Sequence, residues 1–344
     1  MNSSESAAGR RRQSMTSHES CGMRTPVLTV TAPSRALVCG EGWDAFDAAR
    51  FERISSRVSA LGWQLRFTDN VRLVRQRFAG DEATRARCLT EALRDPDTDL
   101  VMALRGGYGA TRLLSLLDWK SLAEYSAPLI GLSDVTALTM ALLAKAGKPG
   151  WQGPTLSWFD HNNDACDAAF MKAMREPRFL IETPAAGDEF SAEGILWGGN
   201  LTLIESLIGT EYLPRISGGI FVFEDVAEPA WRVDRMLNHL ADAGILGSQK
   251  AILVGSLRGA DDHAGAGQGR FDLGHCLEFI RQKCGLPIAT GLPFGHIPET
   301  VTLPIGCSAR VSLRHGKLTI AVDEPPVPAN APGVDAVRSP QWWF

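Results

Sequence analysis

The sequence has no cysteine pairing pattern. Its seven cysteines, Cys21, Cys39, Cys88, Cys166, Cys276, Cys284 and Cys307, are odd in number and contain no CxxC. That argues against a disulfide framework and the usual zinc templates, and for reduced thiols in a cytoplasmic protein. HExxH and the glycine-rich Walker pattern are also missing, so neither a metal nor a nucleotide cofactor is expected. No apolar run is long enough to cross a bilayer, so no membrane partner is expected. Positive charge is not in excess: 35 Lys and Arg face 39 Asp and Glu, for a net charge of -4. Without a basic footprint, nucleic acid is not an expected partner. The early run Arg10, Arg11, Arg12 is followed by polar residues rather than an apolar segment. Residues 1–24 are therefore expected to be an irregular tail rather than a signal peptide, with Met15 or Met23 as alternative starts.

What remains is an ordinary globular composition, 44% hydrophobic and 22% charged over 344 residues, long enough for two domains. The first half alternates short apolar runs with helical patterns. Strands are expected at residues 27–32, 64–67 and 100–104, and helices at 44–61, 81–93 and 134–146. That alternation suggests parallel pairing through crossovers. Pro177 and the stretch 183–188 mark a boundary. The second half is richer in strand signals, at 194–197, 219–223, 251–254, 300–303, 310–313 and 317–322. Helices are expected at 201–207, 231–243 and 273–284. The pair His315-Gly316 reads as a hairpin turn. The expected fold class is α/β: an N-terminal domain (25–165) with a parallel sheet, a linker (166–188), and a mixed C-terminal domain (189–325) rich in β structure. Residues 326–344 are expected to be an irregular tail.

Four local features could carry chemistry. Ser133, in Gly131-Leu132-Ser133-Asp134, lies where a strand gives way to a helix, at free helix N–H groups. A plain helix cap is the simpler role for Ser133 or Asp134. The loop Arg105-Gly106-Gly107-Tyr108-Gly109 ends an apolar strand, and its glycines permit close backbone approach. Glu224 and Asp225 close the GIFVF strand, and spacing does not choose between them as the partner of a histidine. Among seven histidines, His296 stands in the most strand-adjacent, glycine-flanked loop, suited to a base near neutral pH.

Taken together, RGGYGATRLLSLLDW, GLSDVTAL, EGILWGGNL with SLIGT, FEDV with WRVDRML, GLPFGH and TVTLPIG, with the early Ala32-Pro33-Ser34, resemble the motif series of the LD-carboxypeptidase family of serine peptidases. The resemblance runs in order from about Leu28 to Val322. It implies Ser133 as nucleophile, Glu224 as triad acid and His296 as general base. It also implies the backbone N–H groups of Gly107 and Asp134 as the oxyanion hole. It further implies no cofactor, a homodimer, and release of terminal D-alanine from murein tetrapeptides at an L–D bond. Arg232 and Trp197 are candidates for contacting the substrate. The alternatives are a microcin-type peptide-nucleotide hydrolase of the same family, a non-catalytic peptide- or sugar-binding module, and a nucleotide-binding enzyme resting on the RGGYG loop.

Overall fold

A computed structural model describes residues 24–39, 44–260, 272–328 and 330. The expected tail residues up to 23, with Met15 and Met23, and nearly all of the expected C-terminal tail lie outside them. Two large sheets organise the described chain. The first has six strands in the order Leu303–Ile305, Gly150–Gln152, Leu129–Gly131, Leu100–Ala103, Val27–Thr31, Gln64–Phe67. All of its pairings are parallel except the one made by Leu303–Ile305. Its central runs VLTVT and LVMA are buried at every residue, as expected of strands covered on both faces.

The helices around this sheet start where short polar side chains cap them. Asp47 accepts the Arg50 N–H ahead of Ala48–Ala60, and Asp81 accepts the Thr84 N–H ahead of Glu82–Arg94. The first of these buries Phe51, Ile54 and Val58 at helical spacing. The helix Thr136–Ala146 is buried almost all round and ends at Gly147 in the left-handed conformation, which glycine adopts without steric cost.

The second sheet has eight strands. Four run parallel in its middle: Phe190–Asn200, Ile220–Val226, Ala251–Arg258 and Ile288–Thr290. Antiparallel strands flank them, including Cys307–Arg314 and Lys317–Val322. These two alternate buried and exposed residues, so one of their faces meets water. His315 and Gly316 join them, both at positive φ, as a tight hairpin requires.

The expected fold class stands: a parallel α/β half and a mixed half rich in strands. The chain is less neatly divided than the sequence suggested. Leu303–Ile305 belongs to the first sheet although it lies far along the chain. Residues 166–188, read as a linker, carry most of the helix Asp164–Arg175 and the strand Phe179–Pro184, which pairs with Lys317–Val322. Strand pairing over long sequence distances leaves no local pattern, so the places of Leu303–Ile305 and Phe179–Pro184 do not show in the sequence; the helix Asp164–Arg175 does carry one, in Cys166, Phe170, Met171 and Met174.

Candidate active site

Ser133 sits between the strand Leu129–Gly131 and the helix Thr136–Ala146, at the start of a short 3-10 turn. Its φ is +64°, a left-handed value that costs a residue bearing a Cβ. The surroundings enforce it. A Cβ added to Gly131 would lie 2.6 Å from Val135 Cγ1, and one added to Gly106 would lie 2.9 Å from Ser133 Cβ. The RGGYG loop thus presses directly on the serine, which is why a side chain at Gly106 is excluded.

The adjoining carboxylate fixes that loop. Asp134 is 1% exposed and accepts from Ser34 Oγ at 2.6 Å and from the Ala110 N–H at 2.8 Å. Burial raises its pKa above the usual range, against the pull of those two donors and of the Arg85 charge. Arg85, itself fully buried, donates from Nη1 to Pro33 O at 2.6 Å and to Gly109 O at 3.0 Å. So Ala32-Pro33-Ser34, the RGGYG loop and the serine turn are one hydrogen-bonded assembly. Gly107 within it has φ +120°, and a Cβ there would meet Arg35 Cβ at 2.8 Å. The Asp134 N–H lies in the first turn of a helix, where N–H groups lack intrahelical acceptors.

The second half contributes Glu224 and His296. Glu224 is fully buried, and its Oε2 lies 2.7 Å from His296 Nδ1. Asn200 Nδ2 donates to its Oε1 at 3.1 Å. Burial pulls the His296 pKa down, but the hydrogen bond and charge of Glu224, with the charge of Asp225, outweigh it, and the net shift is upward from 6.5. A bulge makes the placement possible. Pairing between Ile220–Val226 and Ala251–Arg258 slips between Phe223 and Asp225. In the slip the Ser256 N–H turns to Phe294 O at 2.7 Å, anchoring the loop that carries His296. Gly295 has φ +120°, and a Cβ there would fall 2.7 Å from Glu224 Oε2, so glycine is the residue that lets the loop close over the carboxylate.

Asp225 does different work. Its Oδ1 accepts from Asn200 Nδ2 and the Val226 N–H, and its Oδ2 from the Thr202 N–H and hydroxyl, all within 3.0 Å. It ties the strand end to the helix Leu201–Ser206, whose cap is Asn200. Geometry therefore separates the two acids that spacing left equivalent.

Two of the contacts that join the halves bear on these residues. The Asn200 N–H donates to Thr136 Oγ1 at 3.1 Å, three residues past Ser133. The His296 ring stands edge-on to Trp158, 6.1 Å between centroids. Trp158 is held by its neighbour Ser157, whose N–H bonds Leu104 O at 2.9 Å, just before the RGGYG loop. Ser133, Gly106, Glu224 and His296 are thus tied into one region between the sheets. No hydrogen bond joins Ser133 to His296 among the described residues; such contacts commonly tighten only when substrate binds. Asn200, Thr136 and Arg85 were not singled out from the sequence. Asn200 stood in the WGGNL motif and Thr136 in GLSDVTAL, while Arg85 gave no local sign.

The two candidates for substrate contact fare differently. Trp197 is corrected: it is 0% exposed, donates from Nε1 to Gln249 Oε1 at 2.9 Å and packs on Phe221, so it has no surface to offer. Its place in a parallel strand covered on both faces explains this. Arg232 opens the helix Ala230–Asp242, and its Nε lies 2.8 Å from Glu228. That partner already compensates its charge.

Comparison with known proteins defines the class. Models of the LD-carboxypeptidase N-terminal and C-terminal domains match residues 29–153 and 193–311. The chain belongs to the LD-carboxypeptidase family. It is 31% identical over 256 residues to the murein tetrapeptide carboxypeptidase of Pseudomonas aeruginosa, covering 67% of this chain and 78% of that one. The crystal structure of muramoyltetrapeptide carboxypeptidase from Oxalobacter formigenes superposes with a TM-score of 0.79 at 33% identity, over 87% of this chain and all of that one. An MccF-like protein from Bacillus anthracis shares the fold, with a TM-score of 0.77 at 22% identity over 88% and 97% of the two chains.

Proposed function

We propose that the chain is a serine carboxypeptidase that releases terminal D-alanine from murein tetrapeptides by cutting an L–D peptide bond. The observation that carries the mechanism is the 2.7 Å bond between His296 Nδ1 and the buried Glu224. With Nδ1–H engaged, the imidazole presents Nε2 as a base. His296 takes the proton of Ser133 Oγ as that oxygen attacks the scissile carbonyl. Glu224 holds the tautomer and stabilises the imidazolium. The N–H groups of Gly107 and Asp134 receive the oxyanion, each contributing about 3 kcal/mol. His296 then protonates the departing amine, and water releases the acyl-enzyme. The strained turn at Ser133 supports its role, since a positive φ lifts the side chain clear of the helix that follows.

The substrate reading draws on the tetrapeptide carboxypeptidases at 31% and 33% identity. The free thiols of all six described cysteines fit a reducing cytoplasm. The family resemblance favours a homodimer, which light scattering on the purified chain tests. The function is tested by mass spectrometry of products from murein tri-, tetra- and pentapeptides. Loss of D-alanine from the tetrapeptide is expected. Turnover of a peptide nucleotide with none on the tetrapeptide would replace this reading with the microcin-type one.

A further inference from the structure

Next in sequence to the glycine that packs on Ser133 stands a cation with no carboxylate partner among the described residues. Arg105 follows the buried strand Leu100–Ala103 and precedes Gly106, the residue that packs on the serine. Its one hydrogen bond among the described residues is a long one, Nη1 to Ala36 O at 3.4 Å. Its Nε is shielded from water and has no acceptor there. Burial chiefly, and then the like charges of Arg35 and Arg50, pull its pKa down to about 10. Other half-buried arginines are treated differently. Arg57 reaches Asp164 and Asp167 at 2.8 and 2.7 Å, Arg50 reaches Asp160 at 2.9 Å, and Arg232 has Glu228. A shielded guanidinium without an anion is unfavourable, and an arriving carboxylate relieves it.

Position points the same way. In a carboxypeptidase the terminal carboxylate carbon lies one residue beyond the scissile carbonyl, about 3.5 Å along an extended chain. Its anchor must therefore stand within a side chain's length of the nucleophile. Arg105 is the neighbour, in sequence, of a residue touching Ser133, and its planar fork suits bidentate capture of a carboxylate.

We propose that Arg105 binds the free terminal carboxylate of the peptide substrate and so makes the enzyme an exopeptidase. This rests on the carboxypeptidase reading above and names the residue that imposes it.

The test compares a tetrapeptide ending in D-alanine with its C-terminal amide, on the wild-type chain, Arg105→Met and Arg105→Lys. Wild type is expected to prefer the free acid. In Arg105→Met, kcat/KM for the acid should fall about 30- to 100-fold, as for a lost charge-assisted bond, while that for the amide moves less than about threefold. Arg105→Lys should recover part of the preference. Equal losses on both peptides, with an unchanged melting temperature, would show a merely structural arginine and overturn the inference. So would an undiminished preference in Arg105→Met. If wild type cleaves neither peptide, the tetrapeptide reading fails separately. Equilibrium binding of D-alanine against D-alaninamide then decides: discrimination lost in Arg105→Met supports the subsite, and equal discrimination in both proteins overturns it.

Discussion

The two halves bring their site residues to the same place by opposite means. The first half does it by steric force. Ser133 holds a left-handed φ because Gly106 and Gly131 allow neighbours to close on it, and Asp134 clamps the turn to Ser34 and Ala110. The second half does it by hydrogen bonding. Glu224 is aimed by a bulge, held by Asn200 and paired to His296, while Asp225 absorbs four other donors. A strained turn is suited to exposing a nucleophile, and a buried ionic bond to setting a tautomer and a pKa.

That contrast predicts different consequences when each half is altered. Ser133→Ala should have the largest effect, lowering kcat by roughly 10⁴- to 10⁶-fold. Because alanine also carries a Cβ, the turn's strain persists, and the melting temperature should hold. A well-folded Ser133→Ala protein with near-normal turnover would remove the nucleophile assignment.

Glu224→Gln should come next, costing about 10³-fold or more in kcat through a misdirected imidazole. It should also move the pH profile. A histidine serves as a base only when neutral, so if His296 is the base proposed above, activity should fall as pH drops through its raised pKa. Removing the Glu224 charge leaves burial as the main influence, which lowers that pKa. The acidic limb of kcat/KM should therefore shift to lower pH. A limb that moves up or stays fixed would mean that Glu224 does not set the charge of His296.

Much of this was legible in the sequence, for reasons particular residues show. The serine turn could be read because a strand, a GLSD and a helix follow one another within a few residues. Ser133, Glu224 and His296 can be proposed as a set only through motifs held in order over the whole chain, since they stand on or next to elements of two different sheets. The choice between Glu224 and Asp225 was not legible from the residues alone. It turns on a bulge created by Gly255 and Ser256, on a neighbouring strand. Trp197 was misread because a tryptophan in a glycine-rich motif looks the same whether its strand is covered or open.

Gly295→Ala sharpens the comparison at a place where the second half also relies on close approach. The added methyl would fall 2.7 Å from Glu224 Oε2, in a backbone conformation with φ +120°. The loop must lift, lengthening the His296–Glu224 bond. We expect kcat to fall by about 10- to 100-fold, given how steeply catalysis depends on placement near 1 Å. Crystallography of the variant should show His296 displaced. An unmoved histidine with full activity would show that this glycine is replaceable.

Asp225→Asn should have the smallest effect on turnover, below about tenfold, and a clear one on stability. The carboxylate accepts from Asn200 Nδ2, the Val226 N–H, and the Thr202 N–H and hydroxyl. Asparagine keeps one oxygen and turns an NH₂ toward one pair of these donors; Asn200 Nδ2 can fall back on Glu224 Oε1 and the Thr202 hydroxyl on Met236 Sδ, but each pair also contains a backbone N–H that faces the lost oxygen. Leaving buried donors unsatisfied costs about 1–3 kcal/mol, enough to lower the melting temperature by several degrees. The chemistry is spared because Glu224, not Asp225, holds His296. Thermal unfolding and kcat measured on one preparation check both halves of this statement. A variant that keeps its melting temperature but loses turnover as severely as Glu224→Gln would reverse the two carboxylates. The division of labour between neighbouring acids would then lie with the charge field on the imidazole rather than with the hydrogen bond that Glu224 makes.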